Sequence, residues 1–429
     1  MINRAYKTEL ELSTDQKNAI DALLGWWEDP HRPQLITLGG YAGCGKTTII
    51  TIFRNILADN YGTNLKVAFC AFTGKAASVM SNKLKKNVSK EIIESDTCST
   101  IHSLMYEPVI DNDEIIDWRK RVSLPEISLI VIDEASMVSR KMYEDISSYN
   151  IPIIAAGDHG QLPPIDSTGF NLMDDPQIKL ETLHRFAEND GLIKVSMMAR
   201  VDGVVKFGEY NNQVFRVQPK DPLVKQFFRE KCRRFDDAVC LCGFNKTRIN
   251  MNRKIRKSLG AIDDDLVIGD KVVCLKNNPR AQGCPVYNGM IGEVTKKASY
   301  SNLYDVSIKF PEMIFPYKGI ISKTSFCNEK PEMDEFIIYK DLRMLRKAKG
   351  IGDYFAVGNI IKDQNQKIYL DNFDYGYAIT VHKSQGSEWS NVVVLEEKSK
   401  YWQSGDMWRR WYYTAITRAK DKLLLIGAN

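Results

Sequence analysis

The sequence predicts an α/β fold of two units, with a small all-β insertion in the second unit. Apolar, β-branched runs alternate with amphipathic helical segments, which is the pattern of parallel sheets covered by helices. The alternation appears in the first part of the chain and returns near the end. In between, short β-rich runs are broken by glycine, asparagine and proline, and these indicate a small barrel.

These changes in pattern set the predicted domain boundaries. The first α/β unit spans residues 1–189, and the second is formed by residues 190–265 together with 371–429. The barrel-like insertion occupies residues 266–370. Residues 104–126 have no clear helical period, and we interpret them as a β-hairpin excursion from the first unit.

Composition is that of an ordinary globular chain, and it excludes several classes of protein. Of the 429 residues, 44% are hydrophobic and 26% are charged. No apolar run approaches membrane-spanning length, and Met1–Lys7 leads into charge rather than into the core of a signal peptide. None of the nine cysteines forms a CxxC pair or lies near a histidine at zinc spacing. We therefore expect a reduced, cytoplasmic protein with no membrane partner.

The basic residues are unevenly distributed along the chain. The net charge is +5, but residues 220–257 contain twelve Lys or Arg against four Asp or Glu, a local excess of +8. Such a stretch is either a solvated surface or a contact for a polyanion. Charge alone leaves both interpretations open.

The strongest motif lies at residues 35–48, where an apolar run ends in glycines followed by Lys-Thr and a helical segment. Residues 40–47 match G-x-x-x-x-G-K-[ST], in which backbone N–H groups and a helix N-terminus hold phosphate. Lys46 is expected to reach the β- and γ-phosphates, and Thr47 to bind Mg²⁺. A plain glycine-rich turn is the alternative, but the flanking strand and helix favour a nucleoside triphosphate site. The expected contacts are Gly40, Tyr41, Ala42, Gly43, Cys44, Gly45, Lys46, Thr47 and Thr48.

An amphipathic helix is predicted for residues 9–27, opening at Ser13-Thr14 with Gln16 in its first turn. The Gln16 amide carries both a donor and an acceptor, so it can read the adenine edge of a nucleotide. Alternatively, Gln16 is a surface residue with no role in nucleotide binding.

Two acidic residues follow a fully apolar strand at residues 129–132. Asp133 is expected to hold Mg²⁺ and Glu134 to polarise the attacking water, which are the two tasks of the second half of an ATPase site. Chance placement is the alternative, and the phosphate loop upstream disfavours it. In the turn at residues 157–164, Gln161 can sense the γ-phosphate by hydrogen bonding, and the neighbouring prolines stiffen that turn.

Two arginines are candidates for stabilising charge on the transferring phosphoryl group. Arg185 lies in the block at residues 181–186, where an arginine by itself means little. Arg418 lies between a helical segment at residues 409–417 and the final strand at 422–426. This position suits a finger that reaches across a domain cleft to the γ-phosphate.

Two polar turns suit a phosphate of a nucleotide or a nucleic acid. Thr73-Gly74-Lys75 follows the strand at residues 65–72, and His102 lies in the block at residues 100–103. The carboxyl ends of the strands form the functional edge of a parallel α/β sheet, which is where the Thr-Gly-Lys turn belongs.

Taken in order, these blocks resemble the motifs of superfamily 1 helicases, and specifically the RecD/Dda-like branch of superfamily 1B. The resemblance covers nearly the whole chain, from Gln16 to Arg418. Residues 380–386 match the family's fifth motif and residues 413–419 the sixth. His159-Gly160 depart from the pattern, because an acidic or proline-containing pair is commoner there. The long N-terminal extension of RecD is missing, so we expect the compact Dda-like arrangement.

The resemblance implies two RecA-like P-loop NTPase lobes, with an SH3-like domain as the insertion and a strand-separating pin as the excursion. It implies ATP with Mg²⁺, and Gly386 as a further nucleotide contact. On this resemblance the chain is an ATP-dependent DNA helicase that moves 5′ to 3′ on single-stranded DNA and unwinds duplex. The strand would be held through its phosphates by Thr73, Lys75, His102, Asn245, Thr380 and His382.

The expected partners are single-stranded DNA and duplex junctions, with replication or recombination proteins as candidates. The expected working form is a monomer in the cytoplasm of a bacterium or a phage-infected cell. Two alternatives stay open. One is a translocase that displaces proteins or acts on RNA. The other is a P-loop NTPase without a polymer substrate, which leaves the motifs of the second unit unexplained.

Overall fold

The contacts of the chain divide it into two compact units. The first comprises Met1–Glu107 and Arg119–Asp190, and the second comprises Pro108–Trp118 and Gly191–Asn429. The main division lies one residue from the predicted boundary at 189. The computed structural model describes residues 12–62, 65–111, 114–124, 126–164, 169–182, 190–231, 237–275, 286, 288–300, 303–311, 313, 315–329, 336–338, 361–362, 367–397 and 405–427.

Up to residue 182 the chain alternates strands and helices, as the α/β prediction requires. In chain order the elements are α1 (Thr14–Glu28), β1 (Leu35–Gly40), α2 (Lys46–Tyr61), β2 (Lys66–Ala71), α3 (Gly74–Asn87), α4 (Lys90–Ser95), β3 (Thr97–Thr100), α5 (Ile101–Met105), β4 (Tyr106–Asp111), β5 (Glu114–Lys120), β6 (Ile127–Asp133), a 3-10 turn (Ala135–Met137), α6 (Arg140–Ser147), β7 (Ile153–Gly157) and β8 (Ile178–Leu180).

The first unit is organised by a six-stranded sheet in the order β3-β2-β6-β7-β1-β8, in which the neighbouring strands run parallel. Alternate side chains of each strand enter two different cores. Leu129 and Val131 of β6 pack with residues of α1 and α2, whereas Ile130 and Ile132 pack with residues of α5 and α6. This two-residue period explains why β6 is apolar throughout: both of its faces are covered.

The first helix begins where its sequence predicts. Ser13 is the N-cap of α1, and Ser13 and Gln16 form a reciprocal capping box. Ile20 and Leu23 on the inner face of the helix are fully buried. Residues 9–11 of the predicted helix lie outside the described residues.

Strands β4 and β5 form a separate two-stranded sheet. They occupy residues 106–120 and are joined by residues 112–113, within the predicted excursion at 104–126. This two-stranded sheet lies in the segment for which a hairpin is predicted, and the strand-separating pin stays a prediction.

From residue 191 onward the α/β alternation continues, with a series of strands in the middle. The elements are α7 (Gly191–Val201), β9 (Gly208–Tyr210), β10 (Val214–Val217), α8 (Pro222–Lys231), β11 (Ala238–Cys242), α9 (Asn245–Ser258), β12 (Lys271–Cys274), β13 (Ile291–Tyr300), β14 (Leu303–Lys309), β15 (Tyr317–Ser322), β16 (Phe336–Ile338), β17 (Ile361–Lys362), β18 (Lys367–Tyr369), β19 (Phe373–Tyr375), β20 (Ala378–Thr380), α10 (Val381–Ser384), β21 (Trp389–Leu395), α11 (Gly405–Ile416) and β22 (Ala419–Ile426).

The second unit has its own α/β sheet in the order β20-β11-β21-β22-β10-β9. All neighbouring pairs are parallel except β9 with β10. Strand β22 begins at Ala419, three residues before the predicted start. The prediction of two α/β units is confirmed at the level of an α/β fold.

The inserted strands form sheets of a different kind. The order β15-β14-β13-β12-β19 is antiparallel throughout, and β16, β17 and β18 form a small sheet of their own. Strand β19 follows residue 370, the predicted end of the insertion, yet it pairs with β12. An SH3-like barrel stays a prediction. In the part of the chain that the structure describes, no helix is both long and apolar enough to span a bilayer.

Candidate functional site

The carboxyl ends of the first sheet bring the predicted catalytic segments to one edge. Because the strands are parallel, the segments that follow β1, β6 and β7 leave the sheet on the same side. The register places Gly39 beside Gly157, and Asp133 beside Ala71 at the end of β2. The phosphate loop, the acidic pair and the turn that carries Gln161 therefore share this edge.

The phosphate loop has the backbone geometry that its glycines predict. Gly43 and Gly45 have φ angles of 89° and 87°, in the left-handed region that residues with a Cβ rarely adopt. Lys46 Nζ donates to the carbonyl oxygens of Gly40 at 2.6 Å and Tyr41 at 3.1 Å. No acidic residue lies in the first turn of α2, so the positive end of its dipole is not compensated there. The loop thus combines an ammonium group with a helix N-terminus, as binding of phosphate requires.

Gln16 lies directly against the phosphate loop. Its Nε2 donates to the Cys44 carbonyl oxygen at 3.2 Å, and its Oε1 accepts the Ser13 N–H at 3.2 Å. A Cβ on Gly45 would come within 2.6 Å of Gln16 Nε2, so the loop needs glycine there for a second reason. The side chain of Gln16 is buried, and Cys44 is fully buried as well. The amide predicted to read adenine therefore also braces the loop that holds the phosphates.

The residue before Gln16 has a contact that sequence reasoning missed. Asp15 Oδ2 accepts the N–H groups of Glu181 at 3.0 Å and Thr182 at 2.9 Å, and the Ser13 hydroxyl donates to Asp15 as well. Burial raises the pKa of Asp15, but these hydrogen bonds outweigh it and lower the pKa to about 2. The chain then continues to Arg185, which lies outside the described residues. An aspartate in a first helical turn is too common a feature to reveal a partner so distant in sequence.

The acidic pair combines a regular strand end with an unusual backbone. Asp133 ends β6, and its Oδ1 accepts the Glu134 N–H at 2.9 Å. Glu134 has a φ of 53° and a ψ of 41°, a left-handed conformation that is strained for a residue with a Cβ. The 3-10 turn Ala135–Met137 follows directly. Strain of this kind is typical of functional sites, and here it affects the residue predicted to polarise water.

The turn at residues 157–164 is organised by Asp158, which the sequence analysis did not single out. Asp158 is buried, and its carboxylate accepts the Gly160 N–H at 2.9 Å and Gln161 Nε2 at 3.3 Å. The orientation of Gln161 is thus set from within its own turn. The next residue, His159, has its ring centroid 4.3 Å from that of Tyr41 in the phosphate loop. A ring contact therefore joins the turn to the loop.

Three of the predicted DNA-binding positions lie in the first unit. Thr73 is the N-cap of α3, where its Oγ1 accepts the Ala76 N–H at 3.2 Å. Lys75 lies in the first turn of α3, and its side chain is outside the described part of the structure. His102 lies in α5, with its ring stacked on Tyr106 at 5.3 Å and an interplanar angle of 30°. Thr73 and His102 follow the carboxyl ends of the neighbouring strands β2 and β3.

The predicted DNA-binding residues of the second unit lie at the carboxyl edge of its sheet. Thr380 ends β20 opposite Cys242, and Asn245 starts the helix that follows β11. Asn245 Oδ1 accepts Arg248 Nε at 3.2 Å. Burial lowers the pKa of His382 in the short helix α10, which favours its neutral form.

Arg418 lies at the opposite edge of the same sheet. It precedes the amino end of β22, and its carbonyl oxygen accepts the Trp389 N–H at the start of β21. The guanidinium is buried and donates to the Thr414 carbonyl at 3.0 Å and the Ser387 carbonyl at 3.2 Å. The structure therefore brings Arg418 beside the Gly386-Ser387 turn, in which Gly386 has a φ of 71°.

The residues predicted to bind Mg²⁺ fit a metal that is shared with phosphate. Within the described ranges, no group of three His, Cys, Asp or Glu side chains could hold a metal ion. Mg²⁺ is commonly held by one or two protein oxygens together with substrate phosphates. Asp133 at the sheet edge and Thr47 in the first turn of α2 supply oxygens of this type.

Two family models match the chain, one toward each end. The model described as AAA domain matches residues 11–215, and the model described as UvrD-like helicase C-terminal domain matches residues 375–426. The first match contains the phosphate loop and the acidic pair. The second contains Thr380 and Arg418.

Two curated proteins are similar in sequence to this chain over longer stretches than the family models. The chain is 24% identical over 443 residues to the ATP-dependent RecD2 DNA helicase of Deinococcus radiodurans, covering 98% of this chain and 50% of that relative. It is 26% identical over 288 residues to the ATP-dependent DNA helicase dda of Enterobacteria phage T4, covering 61% of each chain. The chain thus spans about half the length of the RecD2 relative.

A solved structure agrees on the fold. The Pif1 helicase from Bacteroides in complex with ADP-AlF3 and ssDNA matches with a TM-score of 0.53 at 16% identity, over 98% of this chain and 93% of that chain. Together with the ordered motifs from Gln16 to Arg418, these matches support a place for the chain in the RecD/Dda-like branch of the superfamily 1B helicases.

Proposed function

We propose that this chain is an ATP-dependent DNA helicase that moves 5′ to 3′ along single-stranded DNA and separates duplex ahead of it. The observation that carries the proposal is the shared edge of the first sheet, where Lys46, Asp133-Glu134 and Gln161 follow three parallel strands. The RecD2 and dda relatives are named as ATP-dependent DNA helicases, which supports a nucleic-acid substrate.

In this proposal the first unit binds and activates ATP. Lys46 exchanges its two carbonyl partners for the β- and γ-phosphates, and the N–H groups of the loop hold phosphate oxygens. Thr47 and Asp133 would hold Mg²⁺, which offsets phosphate charge when it is bound. Glu134 orients the attacking water, and Gln161 reports the presence of the γ-phosphate.

The arginines complete the nucleotide site. Arg418 supplies charge to the transferring phosphoryl group, with Gly386 in the neighbouring turn. In this structure the guanidinium nitrogens of Arg418 donate to the backbone carbonyl oxygens of Thr414 and Ser387, which belong to its own unit. Activation therefore requires the guanidinium to exchange neutral acceptors for phosphate. We assign Arg185 the same kind of role on the resemblance to the family.

Single-stranded DNA is proposed to bind through its phosphates at the carboxyl-edge residues of both sheets. These residues are Thr73, Lys75, His102, Asn245, Thr380 and His382. ATP binding and hydrolysis then make the two lobes hold and release the DNA strand in turn. The β4-β5 hairpin acts as a pin that separates the two strands of the duplex. The antiparallel insertion takes the place of the family's SH3-like domain. We further propose a monomer that works in the cytoplasm at duplex junctions, with replication or recombination proteins as partners.

Two measurements test this function. The first is ATP hydrolysis with and without a single-stranded oligonucleotide, which the proposal expects to stimulate turnover. The second is unwinding of DNA duplexes with either a 5′ or a 3′ tail, with a tailed RNA duplex alongside; we expect activity on the 5′-tailed DNA. Turnover that is indifferent to DNA would favour an NTPase without a polymer substrate. Stimulated turnover with no strand separation would favour a translocase.

A further inference from the structure

The base of the β4-β5 hairpin is attached to helix α6 by a carboxylate that reaches both strands. Tyr106, at the start of β4, donates its hydroxyl to Asp145 Oδ2 at 2.5 Å. Lys120, at the end of β5, donates from Nζ to Asp145 Oδ1 at 3.4 Å and to Ser148 Oγ at 2.6 Å. One aspartate therefore holds the first residue of one strand and the last residue of the other.

Tyr149, just beyond α6, adds a second point of attachment. Its hydroxyl lies 3.1 Å from the Met105 carbonyl oxygen and 2.9 Å from the Arg121 carbonyl oxygen. Lys120 Nζ also lies 5.2 Å from the centre of the Tyr149 ring, within the range of a cation–π contact. The residues immediately outside the hairpin on both sides are thereby held to the same helix end.

The two strands are also tied to each other at this end. Glu107 in β4 accepts from Arg119 at 2.8 Å and from Arg121 at 3.3 Å. These pairs are largely exposed, so each adds little by itself. The attachment to α6 runs through Asp145, whose side chain is only 23% exposed.

The protonation states match this geometry. The hydrogen bond from Tyr106 is the main reason that the pKa of Asp145 lies below its usual range, and Lys120 lowers it further. Burial together with the Asp145 carboxylate raises the pKa of Tyr106 to about 12. The pair therefore keeps one charged acceptor and one neutral donor throughout the physiological pH range, which makes the hydrogen bond charge-assisted.

Tyr106 also joins the hairpin to a proposed DNA contact. Its ring stacks on His102, with 5.3 Å between centroids. The same tyrosine thus contacts the group proposed to hold the strand and, through its hydroxyl, the carboxylate that holds the hairpin. Tyr106 is therefore a side chain through which a displacement of His102 on DNA binding would reach the hairpin base.

We propose that Asp145 is a positioning residue that anchors the hairpin to the first lobe, so that strand separation is coupled to the movement of the DNA grip. The inference rests on the proposed helicase function. A wedge that opens a duplex must resist the force of the two strands, and a hairpin that swings at its base would let base pairs re-form behind it. Asp145 is hydrogen-bonded to Tyr106 and Lys120 rather than to a proposed nucleotide or DNA contact, and it acts on His102 as a nearby charge, so we expect its loss to leave translocation largely intact.

The test separates unwinding from ATP hydrolysis. In Asp145→Ala, and in Tyr106→Phe, which keeps the ring on His102, we expect the unwinding rate per ATP hydrolysed to fall roughly tenfold, the scale of one charge-assisted hydrogen bond. Hydrolysis stimulated by single-stranded DNA should stay near wild type. Glu144→Gln is the matched control, because Glu144 neighbours Asp145 on α6 and is exposed. Unwinding equal to wild type in both variants, or an equal loss of unwinding and hydrolysis, would overturn the proposal.

A second measurement does not depend on helicase activity. Amide hydrogen exchange in residues 106–111 and 114–120 should become faster in Asp145→Ala and stay unchanged in Glu144→Gln. Unchanged exchange in Asp145→Ala contradicts the anchor even if the wild-type protein unwinds DNA. If the wild-type protein does not unwind DNA, the proposed function fails, and the exchange data still decide whether Asp145 anchors the hairpin.

Discussion

The ring of Tyr41 in the phosphate loop lies 4.3 Å from the imidazole of His159, centroid to centroid, at an interplanar angle of 49°. The contact joins the loop to the turn that carries Gln161, two segments separated by more than one hundred residues in the sequence. His159 is also one of the positions where the chain departs from the common pattern of its family. The phosphate loop and the turn that carries Gln161 are therefore in direct contact through Tyr41 and His159.

This contact predicts an effect on nucleotide affinity. His159→Ala removes the ring and should raise the KM for ATP a few-fold, since an aromatic pair contributes about 0.5–1.5 kcal/mol. His159→Phe keeps a ring at the position and should stay close to wild type. The check is the ATP dependence of DNA-stimulated hydrolysis. If His159→Ala has the KM of wild type, the ring pair does not position the loop.

Lys46 is expected to be essential for hydrolysis and dispensable for binding of DNA. Lys46→Ala removes the ammonium that bonds to Gly40 and Tyr41 and that would otherwise bind the β- and γ-phosphates. Turnover should fall to background while affinity for a single-stranded oligonucleotide is largely kept. Lys17→Ala, an exposed lysine of α1, is the control. Hydrolysis by Lys46→Ala at the wild-type rate would remove the phosphate loop from the mechanism.

Arg418 should affect turnover far more than ATP affinity. Arg418→Ala is expected to reduce hydrolysis by a factor on the order of 10³, the lower end of the range for arginine fingers, while ATP still binds. The exposed Arg409, on helix α11, provides the control as Arg409→Ala. Binding of a fluorescent ATP analogue and steady-state hydrolysis are the paired measurements. Normal turnover in Arg418→Ala would rule out a nucleotide site completed by the second unit.

Asp15 predicts a pH-dependent contribution to stability. Its pKa is lowered from 3.8 to about 2, so its contribution is fully present above pH 4 and is lost as the pH falls toward 2. Asp15→Asn should therefore lower the Tm by the same amount between pH 5 and pH 8, and the difference from wild type should shrink as the pH drops below 4.

The comparison for Asp15 is Glu28→Gln, which also removes a negative charge from α1 but at an exposed position. Thermal unfolding curves of both variants at several pH values measure the difference. An effect in Glu28→Gln as large as that in Asp15→Asn would attribute the change to helix charge rather than to the bonds with Glu181 and Thr182.

The sequence was a good guide wherever structure depends on residues close together in the chain. The left-handed Gly43 and Gly45, the cap at Ser13 and the buried run that ends in Asp133 are all local patterns, and each was predictable. The ends of the predicted domains were less predictable where a strand distant in the sequence decides them by pairing. Strand β19 continues the antiparallel sheet past the predicted boundary because β12 offers it a partner.

What the sequence by itself determined is the set of residues at the proposed nucleotide site, because a phosphate loop and a strand ending in two acids need only a few adjacent residues. The tertiary structure decided how those segments support one another. Asp15 with Thr182, Tyr41 with His159, and Tyr106 with Asp145 meet only after the strands have taken the order β3-β2-β6-β7-β1-β8. Strand order depends on the summed burial of whole strands, and no short motif encodes that sum.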